Sequence, residues 1–378
     1  MRRLAHFSWG LALLGWGLPA LLFGQSIARE GNHWVMTVNG SLPAGKRLQV
    51  TSQGPVRLEG GSGHSVTFIA KLSVDARTED DARRIFSRFG LRTLSANGRV
   101  VVAAPGGPVS TNLNIRAPGV KEASVQTSAG AVEAYSIDGE LRVNSGGGDL
   151  KCDRIQGDCH LSTEGGQIQV GEVGGDLQCA TAGGSISVKN VHGNAVLDTA
   201  GGSVDVGNAG GDLRVNTAGG AIHINYAAGD VTAGSGGGAI TVGKAGGQVT
   251  VREMAGPVEV GAAAGVRCES GSGGVRVSNI AGPMRITTAL GSIIASLTGG
   301  GRFGESLLET GNGDVTVLIP SNLGVTIRAE TARGRVVSDF PMTQRTAGTE
   351  VRAEGAIHGG GPLLRIGGTS GTIFIKRQ

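Results

Sequence analysis

Residues 199–216 read TAGGSVDVGNAGGDLRVN, and this stretch decides the fold because the chain repeats it every 18 residues. We number each repeat from 1 to 18, so that Thr199 holds position 1 and Asn216 holds position 18. Position 4 is Gly in ten successive repeats, from Gly130 to Gly291, and position 6 is always Val, Leu or Ile. The repeats begin at residues 127, 145, 163, 181, 199, 217, 235, 253, 270, 288 and, after an insertion, 310.

The spacing of apolar residues within a repeat predicts two short strands. Apolar residues at positions 6 and 8, and again at 15 and 17, alternate with polar ones, as in strands with one buried face. Position 11 is a fifth apolar position and changes from Ile and Val to Ala along the chain. The Gly-rich stretches at positions 1–4 and 9–13 predict turns in which Gly adopts backbone angles closed to other residues.

No single repeat could bury its apolar face alone, so equivalent positions are expected to stack from one repeat to the next. The sequence therefore predicts an all-β fold, a parallel β-solenoid (β-helix) of about 10–11 coils with one 18-residue repeat in each coil. A chain of antiparallel hairpins is the alternative. The unvarying period favours coils, because successive hairpins have no reason to be equal in length.

Composition supports a thin, repetitive core. Of the 378 residues, 69 are Gly and only 13 are aromatic, so a thick core filled by large rings is excluded. The hydrophobic fraction of 39% and the charged fraction of 17% also exclude a disordered chain. The formal net charge of +4 is spread without a basic cluster, and we therefore expect no nucleic-acid partner.

Four segments are predicted along the chain. Residues 1–24 resemble a signal peptide, with a positive start, an apolar centre and small residues for cleavage after Gly24 or Ser26. Residues 25–120 are expected to form an N-terminal capping β region with a short helix at 79–89. Residues 121–309 form the regular solenoid, and residues 310–378 form irregular coils and a C-terminal cap. The mature chain is expected to be exported, to the periplasm, outer surface or medium, with no membrane span.

The cysteines are candidates for a disulfide. Cys152 and Cys159 occupy positions 8 and 15 of one repeat, which should face each other across a coil. A disulfide between them requires a Cα separation below about 7 Å. The alternative is that both, like Cys179 and Cys268, are small buried hydrophobes.

Acidic residues recur at position 14, beside a Gly-rich turn. A carboxylate ladder could bind Ca²⁺, but the calcium-binding β-roll motif requires an Asp that these repeats lack. We therefore expect these side chains to accept hydrogen bonds from turn N–H groups. The histidines are scattered over different repeat positions, and we predict no metal site, no catalytic residues and no cofactor. The position-14 series is Glu140, Asp158, Asp176, Asn194, Asp212, Asp230 and Gln248.

The repeats resemble a bacterial "putative adhesin" family first described as a domain of unknown function (DUF4097). The resemblance is carried by TSAGAVEAYSIDGELRV, by TAGGSISVKNVHGNAVLDTAGG and by the C-terminal GGGPLLRIGGTSGTIFIKRQ, and it extends over residues 33–378. It implies an exported β-helical protein of the bacterial envelope, adhesin-like or scaffolding and not an enzyme, with a protein or glycan of the cell surface as its partner. A polysaccharide-acting β-helix enzyme, a lyase or a hydrolase, is the alternative. The scarcity of aromatic platforms for sugar rings argues against it.

Overall fold

The computed structural model describes residues 21–299 and 303–378, which contain 34 β-strands and one α-helix. Most of the predicted signal segment, residues 1–20, lies outside the described residues. The N-terminal part contains β1 Leu21–Glu30, β2 His33–Pro43, β3 Arg47–Ser52, β4 Val56–Glu59, β5 Ser65–Val74, α1 Glu79–Arg88, β6 Arg92–Ala96, β7 Arg99–Ala103 and β8 Ser110–Arg116.

From residue 122 the chain alternates between two strands per coil. These strands are β9 Glu122–Thr127, β10 Val132–Ile137, β11 Glu140–Ser145, β12 Leu150–Ile155, β13 Cys159–Thr163, β14 Ile168–Val173, β15 Leu177–Thr181, β16 Ile186–Val191, β17 Ala195–Thr199, β18 Val204–Ala209, β19 Leu213–Thr217, β20 Ile222–Ala227, β21 Val231–Ser235, β22 Ile240–Ala245, β23 Gln248–Glu253, β24 Val258–Ala262, β25 Gly265–Ser272, β26 Val275–Ile280, β27 Met284–Leu290, β28 Ile293–Leu297, β29 Ser306–Asn312 and β30 Val315–Ile319. The C-terminal strands are β31 Val325–Ser338, β32 Thr343–Ala347, β33 Glu350–Ile357 and β34 Leu363–Arg377.

Parallel pairing between coils confirms the solenoid. The even-numbered strands β10 to β30 pair with one another in one stack, and the odd-numbered strands β9 to β29 pair in a second stack. The register places each residue beside the one 18 positions later, as with Val204 and Ile222 in one stack and Leu213 and Val231 in the other. The hairpin alternative is wrong, because the neighbouring strands of the repeats pair in parallel.

The two ends of the solenoid use different strand arrangements. At the N-terminal end, β4 and β3 continue the two stacks in parallel, and the antiparallel pairs β8–β5, β5–β2 and β2–β1 extend the first stack. The helix α1 begins at its N-cap Thr78 and packs Ala82 and Phe86 against this end. At the C-terminal end, β34 pairs with both β29 and β30, so that one long strand covers the last coil in both stacks.

The core is a narrow aliphatic column built from the predicted inward positions. Val204, Val206, Ala209, Leu213 and Val215, at positions 6, 8, 11, 15 and 17, are all buried. The predicted turns are shorter than expected, because the strands extend through positions 9–11 and through position 1. Position 1 was expected to be in a turn, but it is the buried last residue of a strand.

The reason for Gly at position 4 also differs from the prediction. Gly220 does not adopt the left-handed backbone angles that exclude other residues. Instead, a Cβ atom on Gly220 would lie 2.0 Å from the carbonyl oxygen of Gly202 in the preceding coil. From Gly130 to Gly256, position 4 is therefore Gly because stacked coils approach too closely there for any side chain. At Gly273, Gly291 and Gly313 the close approach is joined by a positive φ, so the predicted backbone reason applies to these last coils.

Candidate functional site

A ladder of buried hydroxyl groups supports one corner of the solenoid. The hydroxyl of Thr217 donates to the Gly202 carbonyl oxygen (2.9 Å) and accepts from the Gly220 N–H (3.0 Å). The Thr217 hydroxyl thus joins two successive turns, which satisfies backbone groups that burial would otherwise leave unpaired. The same pair of bonds is made by Thr163, Thr181, Thr199 and Ser235. Thr or Ser at position 1 of nearly every repeat is the sequence signal of this ladder, and the alternation of apolar and polar residues alone does not predict it.

A groove follows the outer side of the same corner. Residues at positions 18, 1 and 2 of nine successive coils line it, from Ser162 to Gly311, and we call it the corner groove. Its two cavities, of about 600 and about 1040 Å³, share the lining residues Asn216, Thr217 and Ala218. With a strand spacing of about 4.8 Å, eight intervals give a length of about 38 Å.

Position 2 of the corner groove carries small side chains in four successive coils, between Glu164 and the exposed Met254, and position 18 carries mostly polar side chains. Position 2 is occupied by Ala182, Ala200 and Ala218 in successive coils and by Gly236 in the next. At position 18, the Asn216 amide donates to the Asp198 carboxylate at 2.8 Å. The arrangement offers a shallow trough with repeated hydrogen-bonding groups along one side.

Charge is concentrated in the C-terminal half of the groove. Glu253, Glu269 and Glu309 line this half together with Arg252. The Arg252 guanidinium lies 3.8 Å from the Glu269 carboxylate, and Arg267 also contacts that carboxylate at 3.1 Å. The lining of this half carries three carboxylates and one guanidinium, and the charge of Glu269 is offset by its two arginine partners.

The position-14 side chains from Asp158 to Asp230 lie at the opposite corner and act as turn caps, as predicted. The Asp212 carboxylate accepts from the Asp230 backbone N–H of the next coil at 2.8 Å. Asn194 accepts from Asp212 in the same way at 2.9 Å, so an amide oxygen can replace a carboxylate here. A Cβ atom on Gly229, at position 13, would lie 2.2 Å from this Asp212 oxygen. The recurrent Gly-Asp pair is thus explained by one hydrogen bond between coils.

The four cysteines are buried at the predicted inward positions. The neighbouring Cys159 thiol, together with burial, raises the pKa of Cys152 well above its ordinary value. Burial also raises the pKa of Cys179, and burial with the nearby Glu253 and Glu269 carboxylates raises the pKa of Cys268 to about 12. The disulfide between Cys152 and Cys159 stays a prediction.

The remaining candidate residues do not converge. His160 and His192 each lie near a single glutamate, Glu140 and Glu172, at 3.8 and 3.9 Å. In residues 21–299 and 303–378, no group of three or more His, Cys, Asp or Glu side chains lies close enough together to hold a metal ion. Nor does that part of the chain contain a helix of sufficient length and apolarity to span a bilayer.

No family model and no curated protein matches the chain. Among solved structures, the chain is similar to a "putative adhesin" from Parabacteroides distasonis, with 12% identity, coverage of 71% of this chain and 95% of that one, and a TM-score of 0.33. A "putative adhesin" from Bacteroides fragilis gives the same identity and coverage with a TM-score of 0.29. A "putative lipid binding protein" from P. distasonis gives 10% identity, coverage of 92% and 98%, and a TM-score of 0.27. Two of these names are those of the family that the sequence resembles, but likenesses this distant carry no conclusion about what the protein binds.

Proposed function

We propose that this protein is an exported, non-enzymatic solenoid of the bacterial cell envelope that binds an extended surface component along the corner groove. The observation that carries the proposal is the groove itself, in which the same three repeat positions line nine successive coils. A ligand that repeats along its own length can contact equivalent positions in each coil. Such binding is spread over many weak contacts, which suits an adhesin or a scaffold.

Export and envelope location are supported by the sequence. The first 24 residues have the charge and apolar pattern of a signal peptide, and the repeats resemble an adhesin family of the bacterial envelope. Cell fractionation tests this part of the proposal. The full chain is expected in the envelope or the medium, and a variant lacking residues 2–24 is expected in the cytoplasm. Equal distribution of the two proteins would contradict export.

Filling the groove tests the binding surface. Ala200 and Ala218 are exposed in the groove lining, so the double variant A200R/A218R would obstruct the groove without disturbing the core. Ser187 is exposed on the stack of even-numbered strands, away from the groove, and S187R is the matched control. Purified protein is expected to bind envelope fragments saturably, with at least tenfold weaker binding for A200R/A218R and unchanged binding for S187R. Equal binding by all three proteins would contradict a role for the groove.

One observation favours the enzyme alternative. Glu269 and Glu309 both line the groove at position 18. Thr287 lies between them in the parallel stack, paired with Glu269 on one side and with Glu309 on the other. Two spacings of about 4.8 Å separate their backbones by roughly 10 Å, near the separation of the carboxylates in inverting glycosidases. Release of sugar from envelope polysaccharide by the wild type, but not by E269Q or E309Q, would establish this activity in place of simple binding.

A further inference from the structure

The hydroxyl ladder under the corner groove is interrupted at one coil. Position 1 is Thr or Ser in the neighbouring repeats, at Thr217, Ser235, Ser270 and Thr288, but it is Glu at residue 253. The Glu253 side chain is only 3% exposed. Burial of a carboxylate is costly unless it is paired, so its presence where a hydroxyl suffices requires an explanation.

Only one oxygen of Glu253 is used by the fold. Its Oε1 atom accepts from the Ala255 N–H (3.1 Å) and the Gly256 N–H (2.8 Å), which replaces the turn-capping role of the hydroxyl. Its Oε2 atom has no hydrogen-bond partner among the described residues. In the next coil Ser270, directly beside Glu253 in the parallel register, is 8% exposed, and its Oγ atom also lacks a partner there. Two buried, unpartnered oxygen atoms therefore belong to adjacent residues of the ladder.

The corner changes shape at this point. Gly273, Gly291 and Gly313, the position-4 residues of the following coils, have φ values of +143° to +148°, whereas Gly220 and Gly238 before them are not in this region. The Gly273 N–H accordingly donates to the Leu290 carbonyl instead of to the Ser270 hydroxyl. The larger cavity of the corner groove lies over this transition, and both Glu253 and Ser270 line it.

We propose that Glu253 and Ser270 form a binding site for a primary ammonium group, entered from the corner groove. The unpartnered Oε2 and Oγ atoms supply two acceptors for the N–H donors of the ammonium, and the Glu309 carboxylate in the groove lining adds negative charge that attracts a cation. A divalent metal fits less well, because Oε1 is already engaged with two backbone N–H groups. The inference rests on the proposed function, since it names the chemistry that the same groove recognises.

Two sources of the ammonium group can be separated by paired probes. Putrescine represents a polyamine, and the glucosamine trimer represents an amino-sugar polymer. Diacetylputrescine and the N-acetylglucosamine trimer are the matched controls that keep the shape and lose the charge. Calorimetric titration of the full chain is expected to show binding of at least one amine and of neither acetylated control. Binding of the acetylated controls with equal affinity, or of no amine, would overturn the proposal.

Variants of Glu253 link the binding to this site. E253Q keeps the turn-capping oxygen and removes the charge, whereas E253T restores the hydroxyl of the neighbouring coils. Both are expected to weaken amine binding at least tenfold, and E253T is expected to raise the melting temperature of the ligand-free protein because a buried charge is removed. E259Q removes an exposed carboxylate from the stack of even-numbered strands and is the control, with unchanged binding. Full amine affinity in folded E253T would overturn the site.

The outcomes also separate this inference from the proposed function. If A200R/A218R loses envelope binding while no amine binds the wild type, only the ammonium site is wrong. If amines bind in a manner that depends on Glu253 while envelope binding is unaffected by A200R/A218R, the site stands and the envelope-binding role of the groove is wrong. Binding of Ca²⁺ that E253T abolishes, without amine binding, would replace the ammonium by a metal ion.

Discussion

Two adjacent glycines provide a direct test of why the coils need Gly at position 4. In G220A the added Cβ atom would lie 2.0 Å from the Gly202 carbonyl oxygen, whereas ordinary contact begins at 3.4 Å. The coils must therefore separate locally by about 1.4 Å, the difference between these two distances. In G219A the added Cβ atom meets nothing within 4 Å. The two variants have the same composition and differ only in the contact between coils.

The expected energies differ in sign. Overpacking against backbone that cannot move freely costs about 1–3 kcal/mol. Displacing the Gly202 carbonyl also weakens its hydrogen bond from Thr217, worth about 1 kcal/mol. We therefore expect G220A to lower the free energy of unfolding by about 3 kcal/mol. G219A should be neutral or stabilising by up to ~1 kcal/mol, because Ala restricts the unfolded chain.

Urea denaturation followed by circular dichroism in the strand region measures both variants. G219A should unfold at the wild-type midpoint or slightly above it, and G220A should unfold at clearly lower urea. Equal destabilisation by the two substitutions would mean that the clash with the preceding coil is not what fixes Gly220. A stable G220A would refute the close stacking of the coils at position 4.

Three further predictions concern the side chains that join or fill the coils. T199V removes the partner of the Gly184 carbonyl and the Gly202 N–H, so it should lower the free energy of unfolding by ~1–3 kcal/mol, whereas T199S should be nearly neutral in the same melts. D212N should preserve stability, because Asn194 makes the same bond one coil earlier. D212A removes that bond and should lower the free energy of unfolding by about 1 kcal/mol. A melting temperature that Ca²⁺ raises in the wild type but not in D212N would contradict the capping role. The pKa of Cys268 is raised to about 12 in the folded protein, so the unfolded chain releases the thiol proton first as the pH rises. The contribution of Cys268 to the free energy of unfolding is therefore complete below about pH 9 and is lost as the pH rises towards about 12. In C268V, the fall of the free energy of unfolding with pH between about pH 9 and 12 should be smaller by up to about 1.4 kcal/mol per pH unit. An identical slope in C268V and the wild type would contradict this prediction.

The sequence by itself determined the solenoid and its core. The 18-residue period, with apolar residues at positions 6, 8, 11, 15 and 17, is local information that is repeated in every coil. Because each coil contacts mainly its neighbours, a correct repeat alignment also places equivalent residues side by side, as with Val204 and Ile222. The position-14 caps were predicted for the same reason, since an acid beside a Gly-rich turn has few other partners.

Only the tertiary structure decided what happens between coils. The role of position 1 depends on a carbonyl 15 residues earlier, as from Thr217 to Gly202, and no periodicity within one repeat reveals that contact. The reason for Gly220 is likewise a distance to the neighbouring coil and not a backbone angle. The corner groove also forms only when the coils stack. In the sequence Glu253 is one polar residue among others, and only the stacked coils bury its carboxylate and leave one oxygen atom without a partner.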